Sequence, residues 1–342
     1  MNEISGPSPR TAPQWDRETV PHVQANPLMR ALLGHPRRPR LSVLIYHRVM
    51  ERRDPLRPTE PTASEFEARM KWVKAHFNVL PLGDAVAGLN SDRLPDRPLS
   101  ITFDDGYADN HDMAMPILRN LGLPATFFVS TGYLDGGRMF NDTVIETVRR
   151  AKGDVLDASA QDLGVHPIST DAERCIAIGA ILGQVMNMQP TERHDRVEAL
   201  AAALEADLPT DMMMTSTQVV ALHRAGMEIG GHTVNHPVLA AIPIDDASRE
   251  ISEGRRQLER ITGSAVRLFA YPRGRPKRDY TATHVRLVRE LGFEAAVSTA
   301  WGVCGPEADP FQIPRFTPWD PSSWKFGLRL AMNLQRCKYE TA

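Results

Sequence analysis

Short apolar runs alternate with helical patterns along this chain, and that alternation limits its fold more than any other feature. The first run is Leu41-Ser42-Val43-Leu44-Ile45-Tyr46, followed by runs at 99–103, 125–129, 227–229, 266–271, 295–298 and 311–313. Each has strand length and is mostly apolar on both faces, as a parallel strand buried between layers would be. Between them, residues 64–76 place Phe66, Met70, Val73 and Phe77 at helical spacing, with Thr62 and Glu65 as a capping box. Residues 245–261 and 279–291 read likewise, the latter stopped by Gly292. The alternation predicts an α/β fold around a parallel sheet or barrel. Seven strands suit an incomplete barrel better than an eightfold one.

Residues 1–40 carry Pro7, Pro9, Pro13, Pro21, Pro27, Pro36 and Pro39, so they read as a flexible arm before a barrel domain at 41–342. Residues 136–214 leave the alternation. Helix follows helix there, at 170–188 and 191–204 among others, with no clear strand. They are read as a helical insertion between two barrel strands, near the rim where loops build a site. Met188 and Met212-Met213-Met214 within it are expected to fill a core.

The 342 residues are 42% hydrophobic, enough for a sizeable buried core. Lys+Arg at 40 against Asp+Glu at 42 gives a formal net charge of -2. That balance offers no basic surface for nucleic acid and no cationic membrane patch. Cys175, Cys304 and Cys337 are odd in number and far apart, which suggests neither a disulfide framework nor a thiolate metal site. No long apolar stretch predicts a transmembrane segment, and none near Met1 suits a signal peptide, so the expected location is cytoplasmic.

Chemistry gathers at two of the predicted strand ends. The run at 99–103 stops in Asp104-Asp105-Gly106. Catalytic groups collect at the C-terminal ends of parallel strands. Adjacent carboxylates there point different ways, one able to hold a metal and the other to act on a water. Gly106 permits the sharp exit, although the same three residues also make an ordinary solvated turn. The second end reads Gly230-Gly231-His232-Thr233-Val234-Asn235-His236-Pro237. The glycines are expected to end the strand, and Pro237 disfavours helical geometry at His236. Two imidazoles four apart can then reach one ion from a tight loop or single turn. Thr233 is a candidate to orient a ligand imidazole. Two histidines and one carboxylate leave a position open for water, as catalytic zinc requires, and such a water has a pKa of about 7. The spare carboxylate is then a natural general base.

Thr102-Phe103-Asp104-Asp105-Gly106 and His232-Thr233-Val234-Asn235-His236 resemble the first two motifs of the polysaccharide deacetylases, carbohydrate esterase family 4. The likeness covers roughly residues 41–318. It implies a distorted (β/α)7 barrel and metal-dependent hydrolysis of N- or O-acetyl groups on sugars, with Zn2+ as the expected ion. The substrate would be an N-acetylated polysaccharide or its oligosaccharide precursor, in exopolysaccharide biosynthesis or modification. The resemblance implies Asp104 as the base and Asp105, His232 and His236 as metal ligands. The family's third motif, Arg-x-Pro-Tyr-Gly, is matched only in part by Ala270-Tyr271-Pro272-Arg273-Gly274. The Arg273 N–H can serve an oxyanion hole whatever its side chain. The arginine that would orient the base is missing, and Arg315 is a candidate to replace it. The family's C-terminal Leu-x-x-His has no counterpart, since no histidine follows His284. Leu44-Ile45-Tyr46-His47 carries that pattern at the first strand, as in the circularly permuted branch with poly-β-1,6-N-acetylglucosamine deacetylases. His47 is accordingly the expected general acid.

Tyr271, Arg273, Arg315 and Trp301 make up the candidate substrate-binding set, and Tyr107 and Trp319 are further rings able to stack on sugar faces. Asp109 and His111, on a helix after the first motif, are assigned no role. Two other functions fit the same motifs: hydrolysis of a non-sugar C–N bond, and glycan binding by a catalytically inactive barrel.

Overall fold

The computed structural model describes residues 39–89, 94–186, 188–318, 320, 322–336 and 338–342. The arm expected at 1–40 lies outside them apart from its last two residues. The chain runs through β1 (Ser42–Tyr46), β2 (Asn78–Val79), β3 (Pro98–Phe103) and β4 (Thr126–Val129). It continues through β5 (Val155–Asp157), β6 (Val165–Pro167), β7 (Glu228–Gly231), β8 (Leu268–Ala270) and β9 (Ala295–Val297). The main sheet has the order β1-β3-β4-β7-β8-β9, with β2 on β3, and its pairings are parallel. β1, β3, β4, β8 and β9 are buried on both faces, as their mostly apolar character requires.

Residues 313–316 complete the ring. Ile313 bridges Val297 and Phe316 bridges Leu44, both in parallel sense. The Ile313 N–H donates to Ala296 O at 2.9 Å, and the Phe316 N–H to Val43 O at 2.7 Å. Pro314, between them, has no N–H to give, so this stave is held by two bridges and not a full ladder. With the six strands of the main order it makes the seventh stave of a distorted (β/α)7 barrel.

The expected capping box is formed: the Glu65 N–H donates to Thr62 Oγ1 and the Thr62 N–H to Glu65 Oε2, opening the helix Ala63–His76. Three expectations are corrected. The glycines of Gly230-Gly231 do not end β7 but belong to it. A Cβ on Gly230 would stand 2.4 Å from the Phe128 ring, so the residue is small because a neighbouring strand's phenylalanine lies against it. The helix expected from 279 begins at Ala282, because the Asp279 carboxylate accepts the Arg275 N–H and closes the preceding turn. The insertion is not wholly helical: β5 and β6 form an antiparallel hairpin. Its strands are three residues long and expose Val155 and Val165, too short to leave a periodic signal.

The remaining insertion packs the helices Phe140–Arg150, Asp171–Val185 and Pro190–Ala203 around a core of its own, including Val148, Leu163, Ile181 and Leu200. At about 1.5–3 kcal/mol per fully buried aliphatic side chain, that core gives the insertion its own hold on shape. Met212, Met213 and Met214 are buried where the insertion rejoins the barrel. There the Met214 N–H donates to Gly106 O and the Ala108 N–H to Met212 O. The insertion's exit thus lies across the segment that leaves β3. Among the described residues, no helix is long and apolar enough to cross a membrane.

Candidate active site

Asp104 and Asp105 leave the C-terminal end of β3 in opposite senses. The Asp104 N–H still donates to Tyr46 O at 2.9 Å, continuing the β1–β3 ladder. The Gly106 N–H then folds back to Asp104 O at 3.0 Å, which puts Asp105 at the centre of a three-residue turn with φ 76°. That conformation is strained for a residue with a Cβ. It aims Asp105 at the loop after β7 and leaves Asp104 facing the barrel axis.

Asp104 meets Arg315. Both of its oxygens accept from the guanidinium, Oδ1 from Nη1 and Oδ2 from Nη2, each at 2.7 Å. Arg315 is fully buried and is fixed in turn by Nε to Ser298 O and Nη1 to Thr102 Oγ1. Burial acts to raise the Asp104 carboxyl, but the charge of Arg315, with those of His232 and His47, holds it below the usual carboxylate range. Asp104 is therefore an oriented anion. The placement of Arg315 in a substrate-binding set is corrected: with no exposed surface, it positions a carboxylate.

Asp105 Oδ1 lies 3.4 Å from His232 Nε2 and 3.5 Å from His236 Nε2. The three potential ligand atoms are within 4.8 Å of one another. His232 Nδ1 sits 2.7 Å from Ala270 O, which can only accept, so Nδ1 carries the proton and Nε2 presents its lone pair. Asp105 Oδ1 is buried and has no hydrogen-bond partner. A buried carboxylate oxygen facing two imidazole nitrogens is a donor set that fits a divalent cation. Burial alone would raise Asp105, but the imidazoles of His232, His236 and His47 around it push it well down. The imidazoles shift apart. Against burial, Asp105 and Asp104 raise His232, whereas burial, with His232 and Arg193, pushes His236 down to about 3.

The loop bearing the histidines is held in an improbable shape. Thr233 and His236 have φ 67° and 50°, the former an outlier for a β-branched residue. The His236 N–H donates to Thr233 Oγ1 at 3.0 Å, so Thr233 holds the loop and not an imidazole. Glu250 Oε2 accepts the N–H groups of Val234 and Asn235, and Oε1 accepts Asn235 Nδ2. Gly254 lets the helix Ile244–Thr262 approach this loop, because a Cβ there would stand 2.9 Å from the Thr233 carbonyl carbon. Nothing in the sequence marks Glu250, which looks like one more charge on an amphipathic helix.

Arg273 repeats the turn of Asp105: the Gly274 N–H donates to Pro272 O at 2.7 Å and Arg273 sits at φ 58°. Thr299 Oγ1 donates to Arg273 O. The described residues offer no acceptor for the Arg273 N–H. His47 follows β1, where Tyr46 pairs with Phe103, so it stands beside Asp104 at the barrel mouth. Asn110 Nδ2 donates to its carbonyl at 2.8 Å. Its ring is partly exposed, and both aspartates feel its charge.

The aromatic assignments need revision. Tyr271 is 0% exposed, stacked on Tyr280 at 3.9 Å with its hydroxyl donating to Phe311 O, so it is core and cannot meet a sugar. Tyr107 is buried under the Arg48 guanidinium and donates to Asp142. Trp301 is partly exposed with Arg336 over its ring, and Trp319 lies outside the described residues. Asp109, assigned no role, accepts from Arg48 Nε and the Val49 N–H and so fixes the loop after His47.

A family profile described as Polysaccharide deacetylase matches residues 91–163 and 186–296. The matched segments contain Asp104, Asp105, His232, His236 and Arg273, while His47 and Arg315 fall outside. The poly-β-1,6-N-acetyl-D-glucosamine N-deacetylase of Staphylococcus epidermidis is 30% identical over 112 residues, 29% of this chain and 38% of that protein. The chain spans well under half the length of the curated relatives it matches. Among solved structures, IcaB from Ammonifex degensii superposes with a TM-score of 0.57 at 20% identity, covering 87% of this chain and 99% of that one. The Streptococcus pyogenes deacetylase PplD, in complex with acetate, gives 0.56 at 17% identity, covering 84% and 98%. These two likenesses bear on the fold.

Proposed function

The chain belongs to the polysaccharide deacetylase family, and from that premise we propose that it hydrolyses N-acetyl groups on a glycan, with a divalent metal held by Asp105, His232 and His236. The observation that carries the reading is Asp105 Oδ1, buried, without a hydrogen bond, and facing two imidazole nitrogens. Two nitrogens and one oxygen suit zinc with a position left open. When bound there, the metal supplies a Lewis acid that polarises a carbonyl and acidifies a water.

The chain's own groups divide the remaining work. Asp104, kept ionised and oriented by Arg315, accepts a proton from the attacking water as the new C–O bond forms. The Arg273 N–H donates to the oxygen on which negative charge develops. His47, beside Asp104, gives a proton to the nitrogen as the C–N bond breaks, releasing acetate and a free amine. Arg315 replaces the arginine missing from the third motif: it reaches the base from the opposite end of the chain. The name of the staphylococcal relative supports an N-acetylglucosamine polymer, or its precursor, as the substrate class, in exopolysaccharide biosynthesis or modification.

The test is acetate release from N-acetylglucosamine oligomers by metal-stripped protein, with and without zinc added back. The expected result is no release after stripping and restored release with zinc. Release unaffected by stripping, or none with zinc bound, would overturn the reading.

A further inference from the structure

His47 is aimed through its backbone. A peptide unit is planar, so a side chain's direction follows once the units on both sides of its Cα are fixed. On one side, Tyr46 O accepts the Asp104 N–H at 2.9 Å. On the other, His47 O accepts Asn110 Nδ2 at 2.8 Å. The residues that follow are gripped as well. Asp109 Oδ1 accepts the Val49 N–H at 3.1 Å, and Asp109 Oδ2 accepts Arg48 Nε at 2.8 Å.

Asn110 is fully buried, and its Oδ1 has no hydrogen-bond partner. An apolar side chain of similar volume would fill the same space without leaving a polar atom unmet, which is costly in an interior. Nδ2 gives the reason an amide is kept. It donates to His47 O and, at 3.2 Å, to Asp109 Oδ1. A carbonyl oxygen can only accept, which fixes the orientation of the amide. Asn110 also opens a π-helical turn, Asn110–Ala114, closed by the Met115 N–H on Asn110 O. Such turns are rare and recur at functional sites. One short segment, 104–110, thus carries the base and a metal ligand at its start and the hold on the His47 loop at its end.

We propose that Asn110, assisted by Asp109, is a positioning residue for the general acid, aiming the His47 imidazole at the nitrogen released when the C–N bond breaks. This rests on the deacetylase reading, in which His47 gives that nitrogen its proton. An amine leaves poorly unless it is protonated, whereas 4-nitrophenolate leaves as the anion and needs no proton. Misaiming His47 therefore slows an amide substrate and spares an aryl ester. Damage to the fold or to the metal site slows both.

Zinc-loaded parent, Asn110→Leu and His47→Gln are compared on an N-acetylglucosamine oligomer and on 4-nitrophenyl acetate, with bound zinc measured in each. In Asn110→Leu, kcat on the oligomer should fall roughly tenfold to a hundredfold, the scale of a misplaced catalytic group. KM, bound zinc and the ester rate should hold. Asn110→Ala gives the same reading if leucine packs badly, and Asp109→Asn should show a smaller fall of the same kind. An unchanged kcat in both Asn110 variants overturns the positioning role and leaves deacetylation standing. So does a fall accompanied by lost zinc, a raised KM or an equal loss on the ester. If the parent does not hydrolyse the ester, KM and zinc decide. His47→Gln should fall at least as far on the oligomer, and full turnover there removes His47 as the acid and the proposal with it. No acetate from the oligomer with the parent overturns the deacetylase reading itself.

Discussion

Around Arg57 the buried charges answer one another. Its Nη2 donates to Asp142 Oδ1, and its Nη1 to Glu146 Oε1 and Asp54 Oδ2, at 2.8, 2.9 and 3.0 Å. Asp142 Oδ2 accepts from Tyr107 Oη, and Asp54 also accepts from Arg149. The cluster ties the insertion's helix Phe140–Arg150 to the loop after β1. Around Asp105, on the other side of Tyr107, the pairing does not close. Asp104 is fully met by Arg315, yet Asp105 Oδ1 has no donor, and Arg273 Nη1 is buried without an acceptor among the described residues. Both regions are buried and rich in charge. The carboxylates around Arg57 are each met by donors of the chain, whereas Asp105 keeps an oxygen unmet, as the proposed metal site requires.

The largest effect should come from Arg315→Met. It strands a buried carboxylate, and breaking a buried pair from one side costs about 3–5 kcal/mol, to be read by thermal or denaturant unfolding. The acid limb of the activity profile should also move to higher pH, because the charge that holds Asp104 low is gone. A variant as stable as the parent would break the comparison. Arg57→Met is milder, since Arg48, Arg149, Arg150 and Tyr107 still serve the orphaned acids. A loss of about 1–3 kcal/mol is expected, with metal content measured by elemental analysis unchanged. Loss of metal in that variant would show that the two clusters are one.

The smallest effect concerns acid. Burial acts to raise Glu146 and Asp54, but bonds from Arg150 and Arg57 to the first, and from Arg149, the Leu56 N–H and Arg57 to the second, hold them below 4.5 and 3.8. Their contribution to stability is complete above those values and is lost as pH falls through the depressed ones. Asp142 has the opposite sign, because burial raises it despite Arg48 and Arg57, so protonating it does not weaken the fold. Hydrogen exchange along Phe140–Arg150 should therefore stay slow near the ordinary glutamate value of 4.5 and rise only in stronger acid, with the onset moving to higher pH in Arg57→Met.

The barrel was legible because buried parallel strands are written as continuous apolar runs, and six of the seven runs became named strands while the seventh closes the ring at Ile313. The grouping of Asp105 with His232 and His236 was legible for a related reason: Asp105 and His232 lie within three residues of the ends of such runs, and His236 is one loop on. What supports the triad was less so. Arg315 and Asp104 are 211 residues apart, and a fully buried arginine looks no different in sequence from a surface one. Tyr271 was misjudged because the last residue of a strand faces either the mouth or the wall, and stacking on Tyr280 turned it to the wall. Glu250 lies on a helix where one more charge is unremarked, and what marks it is the loop it meets.

The most direct test of the open cluster at Asp105 is to measure bound zinc and acetate release together in Asp104→Asn and His232→Ala. Asp104→Asn should keep its zinc and lose turnover by roughly a hundredfold or more, while His232→Ala should lose both. Full turnover in Asp104→Asn, or full zinc retention in His232→Ala, would contradict the division of labour between the two aspartates.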